Sequence, residues 1–183
     1  MKKRWQLGTI LGVAVWFTAS SLLLSGLLWL LFSAVALLWF ELSVGMAVVV
    51  GLTAVLLHWL GDLLHHLGHA WAARRVGYPM RRIVSWMVLF TSVYPKDEPP
   101  LPAVTHIRRA LGGPAASLFI SVGSGVLLLA LSGNDSPPPL SLLTTFFFWE
   151  NLLVFFLGAF MPLGFTDGST LLYWWPRRHD AVP

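Results

Sequence analysis

Five ionisable residues lie on one face of a strongly apolar segment. They are His58, Asp62, His65, His66 and His69, and at about 100° per residue they fall within a helical arc of roughly 100°. Ionisable groups at membrane depth cost at least about 2.5–3.5 kcal/mol each on insertion scales, so this face indicates a functional site. His65 and His69 are one turn apart, which lets both imidazoles converge on one metal ion.

A third candidate ligand lies near the other end of the chain. Asp167 follows a stretch, residues 161–168, where proline and glycine interrupt the last apolar segment. Such breaks are tolerated at membrane depth only where they are buried or line a cavity. Catalytic zinc takes three protein ligands and keeps one position open, so His65, His69 and Asp167 predict a His₂Asp zinc site. The alternatives are core histidines hydrogen-bonded across helices and an aspartate that caps a helix before Gly168.

The composition is that of an integral membrane protein. Of the 183 residues, 56% are hydrophobic and 11% are charged, and the mean hydropathy is +0.72. We expect one membrane domain over residues 1–183. The net charge of +4 does not indicate a nucleic-acid partner, because the basic residues form short clusters beside apolar runs. The absence of cysteine excludes disulfides and cysteine-ligated zinc.

Four apolar segments predict the architecture, at about residues 19–40, 44–73, 110–131 and 140–160. The uncharged run 7–40 would form a helix of about 51 Å, too long for a hydrocarbon core of about 30 Å. We therefore assign residues 7–17 to a strand-like or interfacial lead-in, with two short spans as the alternative. Short polar turns are expected at 41–43 and 132–139, and β-branched and aromatic residues favour a hairpin within 82–93.

The predicted fold class is an all-α polytopic membrane protein with about four spans, a small β-like lead-in and hairpin, and a last helix broken at Asp167 and Gly168. Small residues at 112–117 favour close packing of the third helix. All 12 Lys and Arg residues lie within 2–4, 74–109 or 177–178. Four spans place these stretches on one side, and the positive-inside rule assigns that side and both termini to the cytoplasm.

These motifs resemble those of the site-2 protease family of intramembrane zinc metalloproteases. Residues 57–77 are similar to the family's zinc helix, in which HExxH precedes Ala-rich sequence and paired arginines. Residues 95–117 are similar to the loop and the Gly-Pro entry of its third core helix. Residues 160–168 are similar to its last motif, Asn-x-x-Pro leading to Asp-Gly, with Pro162 and Gly168 in the matching positions. The lead-in resembles that of small bacterial members, which implies a bacterial plasma membrane.

The resemblance implies that His65, His69 and Asp167 hold one zinc ion, and that the partner is a membrane-spanning peptide or protein. Two positions depart from the family pattern. His66 replaces the glutamate that acts as general base, and Ala159 replaces the asparagine implicated in positioning substrate. Loss of a general base typically lowers a rate by about 10²–10⁴-fold. We therefore expect a metallopeptidase fold with weak or lost peptidase activity.

Several roles stay open on the sequence alone. His66 could be a replacement base, since imidazole accepts a proton near neutral pH, or a further metal ligand, or a structural residue. Asp62 could orient His65 or His66, and His58 with Asp62 could surround the site or simply pack between helices. The alternative functions are a non-catalytic protein that binds membrane helices and a histidine-rich protein that handles metal or protons.

Overall fold

A computed structural model describes residues 3–132 and 138–180. Its elements are, in chain order, β1 (Arg4–Ile10), β2 (Val13–Thr18), α1 (Ala19–Leu38), α2 (Val44–Arg75), β3 (Arg82–Trp86), β4 (Leu89–Val93), α3 (Ala103–Ser132), α4 (Pro138–Trp149) and α5 (Asp167–Trp174). After α4 the helix continues as a π-helix over Glu150–Leu157 and a 3₁₀ turn over Gly158–Phe160. The predicted fold class, mostly helical with a small sheet, is confirmed.

Within the described residues, four helical segments are long and apolar enough to cross a membrane: Ala19–Leu38, Val44–Arg75, Ala103–Ser132 and Pro138–Phe160. Leucine, valine, phenylalanine and tryptophan side chains are exposed along them, as contact with lipid requires. Within residues 7–40 the strands are followed by the single helix α1. The alternative of two short spans in this range is therefore wrong. Of the predicted turn at 132–139, residues 133–137 lie outside the described residues.

The third helix begins at Ala103 rather than near Ala110. Prolines at 99, 100 and 102 prevent an earlier start, and the helix begins directly after the last of them. Its first turns are polar, so apolar composition detects the spanning part and misses this extension. Pro114 lies inside the helix without ending it.

The lead-in and the hairpin form one sheet with the strand order β1-β2-β3-β4. The β1–β2 and β3–β4 pairs are antiparallel, and β2 pairs with β3 in parallel. Leu11 and Gly12, both with positive φ, make the two-residue turn between β1 and β2. The sheet packs on α2 through a buried cluster of Val13, Val15, Ala70, Ala73, Met80, Ile83 and Phe90. Strand β4 thus forms the sheet edge beside the histidine-bearing part of α2.

Small residues allow α2 and α3 to approach closely. A Cβ on Gly68 would overlap the carbonyl group of Gly112, and a Cβ on Gly112 would overlap that of Gly68. The predicted close packing of the third helix is confirmed. A Cβ on Gly113 would overlap the imidazole rings of His65 and His69. The glycines of α3 therefore make room for a neighbouring backbone and for two histidine side chains.

Candidate metal centre

The three predicted ligands converge from α2 and the start of α5. His65 Nε2 and His69 Nε2 are 3.0 Å apart, and each lies 3.3 Å from Asp167 Oδ2. Donors at about 2.0–2.1 Å from one tetrahedral zinc ion lie about 3.3 Å from each other. The histidines are buried and Asp167 is half-buried. Among the described residues, this is the group of at least three side chains that could hold a metal ion.

The outer nitrogens of both imidazoles have partners on α3. His69 Nδ1–H donates to the carbonyl oxygen of Arg109 at 2.7 Å, and His65 Nδ1 lies 2.9 Å from Ser117 Oγ. Because a carbonyl oxygen can only accept, the Nε2 lone pair of neutral His69 faces Asp167. Ligating histidines are commonly oriented through their other nitrogen in this way. The donor set fits a metal ion.

Asp167 lies just after the break at the end of the last span. Helix α5 begins at Asp167 and Thr166 precedes it at the N-cap position, so Asp167 is not the capping residue. A Cβ on Gly168 would overlap the carbonyl group of Phe160, and only glycine permits this packing. Of the other two positions in this motif, Ala159 is buried in the 3₁₀ turn and Pro162 lies in an exposed connection.

His66 lies beside the ligand histidines and contacts other groups. Its Nδ1 is 2.8 Å from Ser92 Oγ on β4, and its Nε2 is 3.5 Å from Asp62 Oδ1. Its ring centroid lies 5.4 Å from that of His65 and 5.6 Å from that of His69. The arrangement therefore separates His66 from the three-residue group.

His58 and Asp62 connect α2 to the hairpin. His58 Nε2–H donates to the carbonyl oxygen of Val88 at 2.7 Å, and His58 Nδ1 lies 2.7 Å from Glu150 Oε1. Asp62 Oδ2 accepts a hydrogen bond from the backbone N–H of Phe90. Both residues are hydrogen-bonding partners of the hairpin rather than simple packing residues.

A pocket of about 920 Å³ opens onto this centre, within the range of ligand-binding clefts. His66, His69 and Asp167 line it on one side, and β4 forms another wall. Arg109 also lines it, and its guanidinium is 2.9 and 2.5 Å from the two carboxylate oxygens of Glu98. The pocket thus gives a molecule in its interior access to His69 and Asp167 of the three-residue group.

Two ionisable groups outside the spans have shifted pKa values. Burial raises the pKa of the Asp167 carboxyl, but the contacts with His65 and His69 outweigh burial and lower it to about 2. Burial raises the pKa of the Tyr94 phenol to about 12, although Arg109 opposes the shift. At neutral pH the pocket therefore presents an ionised carboxylate beside a neutral phenol.

Four residues that shape the site were not predicted from the sequence: Ser92, Glu98, Arg109 and Ser117. The sequence indicates Arg109 as part of the topology signal, yet its side chain is buried and 4.2 Å from the ring of Tyr94. Ser117 lies in the small-residue stretch that had indicated helix packing. The sequence contains one general indication of these residues: a metal-ligating histidine needs a hydrogen-bonding partner for its other ring nitrogen. It did not indicate which residue that partner would be.

Comparison with known proteins gives two kinds of likeness. No family model matches the chain. "Putative zinc metalloprotease Rip3" from the Erdman and H37Rv strains of Mycobacterium tuberculosis is 33% identical to this chain over 124 residues. The match covers 66% of this chain and 30% of each relative, so the chain spans less than a third of their length.

The solved structure of the site-2 protease from Methanocaldococcus jannaschii has a similar fold. The TM-score is 0.59, and the match covers 98% of this chain and 74% of that chain at 16% identity. The chain is therefore an integral membrane protein with a site-2 protease fold. The sequence similarity to Rip3 and this fold support the resemblance to the site-2 protease family.

Proposed function

We propose that this protein holds one zinc ion through His65, His69 and Asp167 and acts as an intramembrane metallopeptidase relative with weak or lost peptidase activity. The observation that carries the proposal is the position of His66, which stands where the family has its general base. Its two ring nitrogens face Ser92 and Asp62.

The chain's own residues support metal binding better than they support proton transfer. Bound zinc would supply Lewis-acid activation of water and of a peptide carbonyl. Arg109 and Ser117 hold the two imidazoles in a fixed orientation. A general base must come within about 2.6–3.2 Å, measured between heavy atoms, of the group whose proton it accepts, and the ring nitrogens of His66 contact Ser92 and Asp62. The three candidate ligands are therefore arranged for metal binding, whereas His66 is not arranged to accept a proton.

The proposed partner is a membrane-spanning or membrane-adjacent peptide. Strand β4 lines the pocket that opens onto the candidate metal centre. Tyr94 and Trp174 contribute aromatic surface to the same pocket. We further propose a bacterial plasma membrane location with both termini in the cytoplasm, supported by the distribution of the 12 cationic residues.

The first experiment measures zinc per chain by elemental analysis of purified protein in detergent, with His69→Ala prepared alongside. We expect about one zinc per wild-type chain and a large loss in the variant, because two ligands rarely suffice for a structural or catalytic site. Zinc-free wild-type protein after purification in zinc-supplemented medium would overturn the proposed metal role.

The second experiment tests the proposed cause of weak activity. We expect His66→Glu to raise cleavage of a membrane-embedded reporter peptide by about 10²–10⁴-fold over wild type. The control is the same substitution combined with His69→Ala, which should abolish the gain. Robust cleavage by wild-type protein that His65→Ala removes would show that activity is neither weak nor lost.

A further inference from the structure

Polar side chains from α2 contact the hairpin in a regular series. The helix contributes every fourth residue, His58, Asp62 and His66. They lie opposite every second residue of the hairpin, Val88 in its turn and Phe90 and Ser92 in β4. His58 donates to the Val88 carbonyl at 2.7 Å, and His66 Nδ1 is 2.8 Å from Ser92 Oγ. Between them, Asp62 accepts from the Phe90 N–H. The three contacts therefore share one register between the helix and the hairpin.

The repeats of helix and strand account for the match. Four residues of an α-helix rise about 6.0 Å, and two residues of a strand rise about 6.6–6.8 Å. Two elements that run side by side in the same direction therefore stay in step over three contacts. The next helix position is Ala70, which belongs to the buried cluster against which Tyr94 packs. The polar series ends where the apolar contact between α2 and the sheet begins.

The series also satisfies backbone groups at the end of the sheet. Because β4 is an edge strand, one row of its N–H and C=O groups has no strand partner. Asp62 and His58 bind two such groups, at Phe90 and in the turn at Val88. Glu150 of the π-helix holds the other nitrogen of His58 at 2.7 Å. Buried polar groups that are hydrogen-bonded to one another favour one arrangement of the elements.

We propose that His58, Asp62 and His66 form a polar ladder that fixes β4 along α2, and that His66 is a positioning residue within this ladder. Strand β4 is a wall of the pocket that opens onto the metal centre. The ladder therefore sets the position of that wall relative to the ligands on the same helix. It depends on the contacts between α2 and β4, and it holds whether or not the chain cleaves a peptide.

The ladder is tested by amide hydrogen exchange on the full chain in lipid nanodiscs. We expect Asp62→Ala to accelerate exchange of the amides in residues 88–93 by about tenfold or more, because the Phe90 N–H loses its acceptor. Asp62→Asn keeps a side-chain oxygen and should stay close to wild type. The matched control is Thr53→Ala on the same helix, whose hydroxyl bonds only the Val49 carbonyl of its own turn.

The role of His66 is tested by a second readout. Cobalt substituted for zinc gives an absorption spectrum that reports the metal ligands. We expect His66→Ala to leave this spectrum unchanged and to accelerate exchange in residues 88–93. A changed spectrum with unchanged exchange would place His66 at the metal and overturn its role in the ladder.

The outcomes separate the ladder from the proposed function. If Asp62→Ala fails to fold, His66→Ala decides, since it removes only the last contact of the series. Unchanged exchange of β4 in His66→Ala, with or without a change in Asp62→Ala, overturns the ladder as proposed. A zinc-free protein whose β4 amides respond as expected would overturn the proposed metal role alone.

Discussion

Each histidine of the candidate metal centre is held from two sides. Its Nε2 faces the other ligands, and its Nδ1 contacts a group on α3, the Arg109 carbonyl for His69 and the Ser117 hydroxyl for His65. Such outer contacts fix the ring orientation and raise the basicity of the ligand. The geometry of the centre therefore depends on α3 although α3 supplies no ligand.

Replacing Ser117 tests this dependence. We expect Ser117→Ala to weaken zinc affinity by about 10–100-fold, because His65 Nδ1 loses its partner. The measurement is competition between the protein and a chelator of known affinity. Ser121→Ala is the control, since Ser121 is also buried on α3 but bonds the Ser117 carbonyl of its own helix. Equal zinc affinity in both variants would show that Ser117 does not position the ligand.

At the scale of single residues, the sequence indicated the three candidate ligands but not the residues that hydrogen-bond to them. His65 and His69 share one helix face at a fixed spacing, and Asp167 lies in a recognisable break. Ser117 and Ser92 become partners only through the packing of α3 and the hairpin on α2, which no local pattern encodes. The role of His66 stayed open for the same reason, since its contacts lie on a strand 26 residues away.

Helix α2 serves two neighbours along one polar face. His65 and His69 contact α3 and α5. Asp62 and His66 contact the hairpin. The small residues of α3 make the first contact possible because a bulkier surface would displace the imidazoles. Helix α2 supplies the two histidines, and the small residues of α3 leave room for their rings.

Adding one methyl group at this contact tests the fit. We expect Gly113→Ala to lower zinc content strongly, because the new Cβ would overlap the rings of His65 and His69. Zinc per chain and thermal stability are measured together. Gly123→Ala is the matched control, since nothing lies within 4 Å of that position on the same helix. It should keep its zinc and gain roughly 0.5–1 kcal/mol of helix stability. Full zinc in Gly113→Ala would mean that the two helices separate easily.

Across the whole molecule, hydropathy predicted the number of spans and the strand-like lead-in. It placed the start of the third helix too late, because Thr105 and Arg109 belong to a polar extension that packs inside the protein. It also could not order the strands, since the parallel pairing of β2 with β3 joins segments separated by α1 and α2. Apolar patterns report contact with lipid, and long-range pairing is decided by tertiary packing. The interpretation of residues 1–183 as one domain stays a prediction.

The predicted topology has a direct test because the chain contains no cysteine. Single cysteines are introduced at Ser43, Lys96 and Arg178, which are all exposed, and the wild-type chain is the unlabelled control. Four spans with a cytoplasmic basic side predict that an impermeant maleimide labels Ser43→Cys in intact cells. It should label Lys96→Cys and Arg178→Cys only in inverted vesicles. Labelling of Arg178→Cys together with Ser43→Cys would require an even number of crossings between them, instead of the predicted three. The last two helices would then no longer return the chain to the side where the 74–109 segment lies.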